Sequence, residues 1–386
     1  MLFIKSNSLK TGMRLARPIY NKNGVLLYER NSKLTEQGIT SIKNFGLIGI
    51  FILEPAEPVP PMTKDDIEFE RFQTMCVFAI QEELTKMKTL GKAPKMQVVA
   101  GNIIRNYGRK DKKVNFIQDL RSKEDYIYKH SLNVAILCAL MTHALNVRLE
   151  EQLDTVIAAV VHDIGKLTLP KEFDNKVNFT DSDRDVMRSY EVGGYNIIEN
   201  VFTANPGIKR ICMQTQKELY DFHKGKISDK KLVIGAKILI AAETYDVMTA
   251  MQFEQEPASE VSAIRFLMEN PEVFDSNVID SLIRSINILS PGTCIELNTG
   301  DKGLVLAQNE EDVLRPMILN FRDNSILDLG NELIYGDIEI KDIMKTMDNR
   351  YIMDTSVLKK QGIHFEEPEY VEVSDDAEEY VPGRDF

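Results

Sequence analysis

An apolar helix that ends on two adjacent polar residues constrains this chain more than any other feature. The segment Val160-Val-His-Asp-Ile-Gly-Lys166 closes that helix with an imidazole and a carboxylate, then turns at Gly165. Two ligands on neighbouring residues can grip one cation, and the carboxylate can bridge to a second. His-Asp pairs also arise by chance, so the weight of this one depends on what other ligands the chain supplies. His130 lies in Tyr126-Ile-Tyr-Lys-His-Ser-Leu-Asn-Val134, on the preceding predicted helix. Glu243 and Asp246 punctuate the apolar helix Ala241-Ala-Glu-Thr-Tyr-Asp-Val-Met248. A charged group on such a helix needs a partner or a metal. Two imidazoles and two carboxylates from three helices make a tetrahedral or octahedral site with room for water. The other reading is a buried hydrogen bond between His130 and Asp163, and spacing alone leaves both open.

The chain has five histidines, so the other three can be weighed singly. His143 follows His130 by thirteen residues, which at about 100° per residue turns it well away; it reads as a surface or core histidine. His223, in Asp221-Phe-His-Lys-Gly-Lys226, falls in a predicted loop, where with Lys224 and Lys226 it could touch an anionic ligand. His364 carries no argument. The run Arg105, Arg109, Lys110, Lys112 and Lys113 reads as a solvated basic face.

Composition narrows the class. The 386 residues, 43% hydrophobic and 27% charged, describe an ordinary globular protein of two or three domains. A net charge of −12 argues against a nucleic-acid polymer as partner, which would need a basic surface. Cys76, Cys138, Cys212 and Cys294 form no CxxC pair and read as reduced thiols. Met1-Leu-Phe-Ile4 is cut off at Lys5, too short for a signal-peptide core, and no apolar run approaches the roughly 20 residues that span a membrane. A cytoplasmic protein is expected.

Five segments follow from pattern and punctuation. Residues 1–54 read as a small α+β module: a strand over 14–20, a turn at Asn23-Gly24, a return strand over 25–27, a helix over 35–44 and a strand over 48–53. Residues 55–114 begin with the proline-rich linker Glu54-Pro-Ala-Glu-Pro-Val-Pro-Pro61 and continue as one helix over 64–106, which makes a homodimer conceivable. Residues 115–290 read as a helical body with helices over 126–145, 149–162, 182–200, 208–220 and 232–248. Residues 291–365 open with a β-hairpin over 293–307 and a third strand over 317–321. Residues 366–386 hold Glu366, Glu367, Glu369, Glu372, Asp375, Asp376, Glu378, Glu379 and Asp385, and read as a solvated acidic tail.

From Tyr126 to Thr249 the chain resembles the HD-GYP branch of the HD superfamily of metal-dependent phosphohydrolases. The matching pieces are Tyr128-Lys-His-Ser-Leu-Asn-Val-Ala135, His162-Asp-Ile-Gly-Lys-Leu-Thr-Leu-Pro170, Asn175-Lys176, Leu239-Ile-Ala-Ala-Glu-Thr-Tyr-Asp246 and Met248-Thr249. The resemblance implies a mainly α fold: an HD-domain helical bundle, a small N-terminal α+β module and a C-terminal β-hairpin extension. Members with intact motifs hydrolyse the bacterial messenger cyclic di-GMP at a centre of two or three metals, often iron or manganese. Carried across, His130, His162 and Asp163 match first-metal ligands, and Glu243 stands where the family usually has aspartate. Lys166 matches a lysine that contacts the scissile phosphate.

The rest of the family's site is altered. Its next histidine ligand falls at Tyr190, and its paired histidines fall near Gln216 and Lys217. The arginine that follows them becomes Leu219, and the Gly-Tyr-Pro loop is absent. Without three imidazoles a second cation keeps only Asp163, and an ammonium at Lys217 would repel it. The resemblance therefore implies one divalent cation, iron or manganese, or none. The preferred reading is a signalling module that binds cyclic di-GMP or a related nucleotide with little or no turnover. The alternatives are a single-metal nucleotide phosphohydrolase and a metal-free scaffold for protein partners.

Overall fold

The computed structural model describes residues 2–344 other than 46, 48, 55–58, 60–61, 119–120, 123–124, 171–172, 174–179, 227–230 and 252–256, and beyond them residues 369 and 371. The rest of the acidic tail and the pair Asn175-Lys176 lie outside the described residues. Packing divides the chain into two compact units, Met1–Met75 with Leu289–Phe386, and Cys76–Ile288.

The first unit opens with β1 (Leu2–Lys5), β2 (Arg14–Leu15), β3 (Ile19–Tyr20), β4 (Leu26–Tyr28), α1 (Glu36–Asn44) and β5 (Gly49–Leu53). β5 is the middle of an antiparallel sheet ordered β1-β5-β2, with Leu2 and Leu15 both opposite Ile52. Thr35 caps α1 by accepting from the Gly38 N–H at 3.0 Å. The helix then lays Ile42 into a cluster with Leu15, Leu34, Ile50 and Ile52. The single strand expected over 14–20 is broken into β2 and β3 around Arg17-Pro18, since proline has no N–H for a ladder. β1 falls outside the elements expected from sequence: its four residues carry little pattern, and its partner lies far along the chain.

Over 64–106 two helices replace the expected one: α2 (Lys64–Leu90) and α3 (Met96–Asn106). Gly91 takes φ +60°, which other residues rarely adopt, and Pro94 cannot continue a helical ladder. Residues 76–106 belong to the second unit, where α3 packs on α4 (Tyr126–Ala144) and α5 (Leu149–Val161). The bundle is completed by α6 (Asp181–Val201), α7 (Pro206–His223), α8 (Ile234–Thr249), α9 (Glu260–Glu269) and α10 (Ser276–Ser285). Every residue of α4 from His130 to Thr142 is buried, as is every residue of α5 from Thr155 to Val161. Helices apolar all round belong inside a bundle, and α4 packs on α5, α8 and α10 while α5 also packs on α7 and α8.

The first unit resumes with β6 (Cys294–Leu297), β7 (Lys302–Ala307), β8 (Met317–Asn320), β9 (Ile326–Asp328), α11 (Glu332–Tyr335) and β10 (Ile340–Ile343). The expected hairpin and third strand are the middle of a five-stranded antiparallel sheet ordered β10-β6-β7-β8-β9. Its two edges escaped notice because β9 is three residues long and β10 pairs with a strand well before it. The fold is mainly α with small sheets, as expected.

Candidate metal centre

α5 stops at Val161, and His162 caps it with helical backbone angles before Asp163 leaves them. A 3-10 turn over Ile164–Thr168 follows, fixed by the Lys166 N–H on the Asp163 carbonyl at 2.9 Å. α6 lies hard against this turn. A Cβ at Gly165 would strike the Tyr190 carbonyl oxygen, and one at Gly194 would come within 2.8 Å of the Gly165 nitrogen. Two glycines therefore allow the contact that brings Glu191 within 4.0 Å of Lys166 Nζ.

α4 delivers His130 and α8 delivers Glu243 and Asp246, three residues apart and so neighbours on one helix face. The His130 Nδ1–H donates to Asp246 Oδ2 at 2.6 Å, and the His162 Nδ1–H donates to the Ala159 carbonyl at 2.8 Å. Each imidazole has spent its proton on an acceptor, so each Nε2 carries a lone pair. These two nitrogens face each other at 3.2 Å. Asp163 Oδ1 stands 3.6 Å and Glu243 Oε2 3.8 Å from His162 Nε2. Both oxygens are buried and make no hydrogen bond among the described residues.

With each Nδ1 bonded to an acceptor, the two Nε2 atoms and the Asp163 carboxylate form a buried donor set of the kind that holds a cation, with Glu243 Oε2 beside His162. The imidazole pair suits one: with bonds of about 2.1 Å, adjacent ligands lie about 3.0 Å apart in an octahedron and about 3.4 Å in a tetrahedron, and the two carboxylate oxygens stand somewhat farther from His162 Nε2. The His130, His162 and Asp163 cluster is thus able to bind a metal ion. Glu243, one methylene longer than the aspartate the family usually has, lies beside this cluster, its Oε2 3.8 Å from His162 Nε2.

Asp246 takes a different part from a direct ligand. Arg121 holds it by a fork, Nη1 to Oδ2 at 2.7 Å and Nη2 to Oδ1 at 2.5 Å, and Gln118 Nε2 donates to Oδ1 at 3.0 Å. Burial alone would raise the Asp246 carboxyl, but the Arg121 guanidinium and the His130 hydrogen bond together hold the group well below the usual carboxylate range. Asp163 is similar: burial works to raise it, while the Lys166 ammonium beside it holds it low. The Lys166 ammonium donates to Asp163 Oδ2 at 2.8 Å. Burial favours its neutral form, but Asp163 and Glu191 push its affinity for the proton well above that of an ordinary lysine.

The altered positions divide. Gln216 is buried and its Nε2 donates to the His162 carbonyl, bracing the residue next to Asp163. Tyr190 is half-buried on α6. Lys217 is exposed, so the expected repulsion from it is corrected: one residue past Gln216 the helix has turned about 100° away. His223 is the last residue of α7 rather than part of a loop, because Phe222 packs on Phe266 and Phe274 and extends the helix. Its Nδ1 meets the Leu219 carbonyl at 2.6 Å, a local helix-end bond remote in kind from a ligand. His143 pairs with Asp111 at 3.0 Å in an exposed contact. Arg121, Gln118 and Glu191 went unnoticed in the sequence. Arg121 sits five residues before α4 in irregular backbone and has no periodicity to mark it.

Comparison with known proteins agrees with this geometry. Residues 115–278 match the HD domain family. A cyclic di-GMP phosphodiesterase of Pseudomonas aeruginosa is 22% identical over 207 residues, which cover 52% of this chain and 49% of the relative. The chain thus spans about half the length of the curated relative it matches. No solved structure matches it. Among the described residues, no helix is long and apolar enough to cross a membrane. The His130, His162 and Asp163 cluster lies inside the segment that matches the HD domain family, residues 115–278.

Proposed function

We propose that this chain is a divergent HD-GYP-like protein of bacterial cyclic di-GMP signalling, cytoplasmic, with one divalent cation and little or no phosphodiesterase turnover. It acts by binding cyclic di-GMP or a related nucleotide and passing that state to a protein partner. The cation, iron or manganese, is held by His130, His162, Asp163 and Glu243. The observation that carries this reading is the buried cluster of His130 Nε2, His162 Nε2 and the Asp163 carboxylate, with Glu243 Oε2 3.8 Å from His162 Nε2. Turnover of the family's kind needs a second cation to clamp the leaving oxygen, and Tyr190, Gln216 and Lys217 occupy the positions of its ligands. The Gln216 Nε2 donates to the His162 carbonyl, its buried Oε1 makes no hydrogen bond among the described residues, and Lys217 is exposed, so no imidazole remains at these positions.

One observation favours the second reading, a single-metal nucleotide phosphohydrolase. Lys166 stays partly exposed while its ammonium touches the buried Asp163, the placement of a group that meets an incoming phosphate. Metal content and cyclic di-GMP binding and turnover, measured on the wild type and on a His162→Ala/Asp163→Ala variant, separate the readings. One cation per chain with binding and no turnover is expected. Turnover lost with the cation would establish the phosphohydrolase, and a wild type without metal after iron and manganese supplementation would leave a scaffold.

A further inference from the structure

The cation site rests on a buried polar network that begins outside the HD motif itself. Arg121 is fully buried and its fork closes on both oxygens of Asp246, which in turn accepts the His130 Nδ1–H. Arg121 Nη2 also donates to Gln118 Oε1 at 2.9 Å, and Asn133 Nδ2 donates to the same oxygen at 2.9 Å. Gln118 Nε2 is shared between Asp246 Oδ1 and Thr249 Oγ1, each at 3.0 Å. The backbone is tied as well, the Arg121 N–H donating to the Met251 carbonyl at 2.9 Å. Tyr126 stacks on the His130 ring at 5.6 Å and 21°, and the Arg121 guanidinium lies 5.4 Å over the Tyr126 ring. His130 is therefore gripped at its edge by Asp246 and on its face by Tyr126, and Arg121 touches both grips.

We propose that Arg121 is a positioning residue of the cation site, setting through Asp246 and Tyr126 the direction in which His130 Nε2 points. This rests on the one-cation reading above. A buried guanidinium could equally serve stability alone, but stability needs only that Asp246 be paired. The fork does more: two parallel bonds fix the plane of the carboxylate, and that plane fixes the ring it accepts from. Outer groups that hold a metal-bound histidine typically govern affinity by about 10- to 100-fold.

The test uses the full chain and Co2+ alone, reading affinity by competition with a chromophoric chelator and coordination by the visible absorption of bound Co2+. Arg121→Lys keeps the charge and loses the fork; Arg121→Met loses both. Expected are a Kd about 10-fold weaker for Arg121→Lys and about 100-fold weaker for Arg121→Met, each with an altered cobalt spectrum. Folded variants that keep the wild-type Kd and spectrum, with only a lower melting temperature, overturn the proposal and leave Arg121 a stabilising residue. Should Arg121→Met fail to fold, Arg121→Lys decides. A wild type that binds no Co2+ overturns the one-cation reading together with this one, whereas wild-type binding with unchanged variants overturns this one alone.

Discussion

If the four converging groups form a cation site, adding the cation must stabilise the second unit by an amount that can be worked out beforehand. The ligands come from α4, from the end of α5 and from α8, so the unfolded chain cannot hold them together. A cation that binds only the folded state adds RT ln(1 + [L]/Kd), about 2.7 kcal/mol at one hundred times Kd. Residues 76–288 form a unit of the size for which each kcal/mol moves Tm by about 2–4 °C. The expected gain is then about 5–10 °C in the unit's melting transition, from the same two relations. Calorimetry of the metal-stripped chain with and without Mn2+ measures it, with His162→Ala/Asp163→Ala as the comparison. That variant should melt at one temperature in both conditions. Two results refute the reasoning: no shift in the wild type with Mn2+, Fe2+ or Co2+, or an equal shift in the variant, which would place the cation elsewhere.

Four further outcomes are expected. Lys166→Met tightens Mn2+ binding by about 10-fold or more, because an ammonium 2.8 Å from Asp163 Oδ2 repels a cation at the same carboxylate; a chelator competition that shows weaker binding refutes this. Gly165→Ala destabilises the fold by about 1–3 kcal/mol in urea titration, since its methyl group would meet the Tyr190 backbone rather than a movable side chain. Arg121→Met costs about 3–5 kcal/mol by stranding the Asp246 charge, and the double variant Arg121→Met/Asp246→Leu costs less than Arg121→Met alone. For pH, Asp163 and Asp246 both have depressed folded values. Their stabilisation is complete above the unfolded value near about 4 and is lost as pH falls below it toward the folded values. Acid titration of Asp246→Asn should therefore show a shallower loss of stability below that pH than the wild type.

Much of the helical body was legible because burial on all sides leaves long apolar runs. The helix that ends at His162 and the one that carries Glu243 are of this kind, and their polar residues stand out against the run. What was not legible depended on contacts between distant segments. Nothing local distinguishes Arg121, whose partner Asp246 is 125 residues on. Nor does the position of Glu243 beside an imidazole tell whether its longer chain reaches, since that depends on where α8 lies against α5. Glu191 is brought to Lys166 by the absence of two methyl groups, at Gly165 and Gly194, and a missing atom leaves no mark in a pattern of polarity. The same reason explains β1 and β10, short strands defined by partners far away in the chain.

The proposal of one cation rather than two turns on how Asp163 divides its oxygens. Oδ1 lies 3.6 Å from His162 Nε2 with no hydrogen bond among the described residues, while Oδ2, 3.8 Å from His130 Nε2, already has an ammonium 2.8 Å away. A carboxylate bridging two cations needs both oxygens free of such a competitor or a second ligand set strong enough to displace it. Displacement here would also have to release Lys166 from the Glu191 carboxylate, 4.0 Å away and itself paired with Arg188 at 3.1 Å. Imidazoles could drive that exchange; a tyrosine, a glutamine amide and an exposed lysine offer no nitrogen lone pair for it. On this reading restoration is a sharper test than removal. A Tyr190→His/Gln216→His variant should take up a second Mn2+ per chain by equilibrium dialysis only when Lys166 is also changed to Met. A second equivalent bound with Lys166 intact would show that the ammonium is no competitor, and that the lost imidazoles alone account for the missing site.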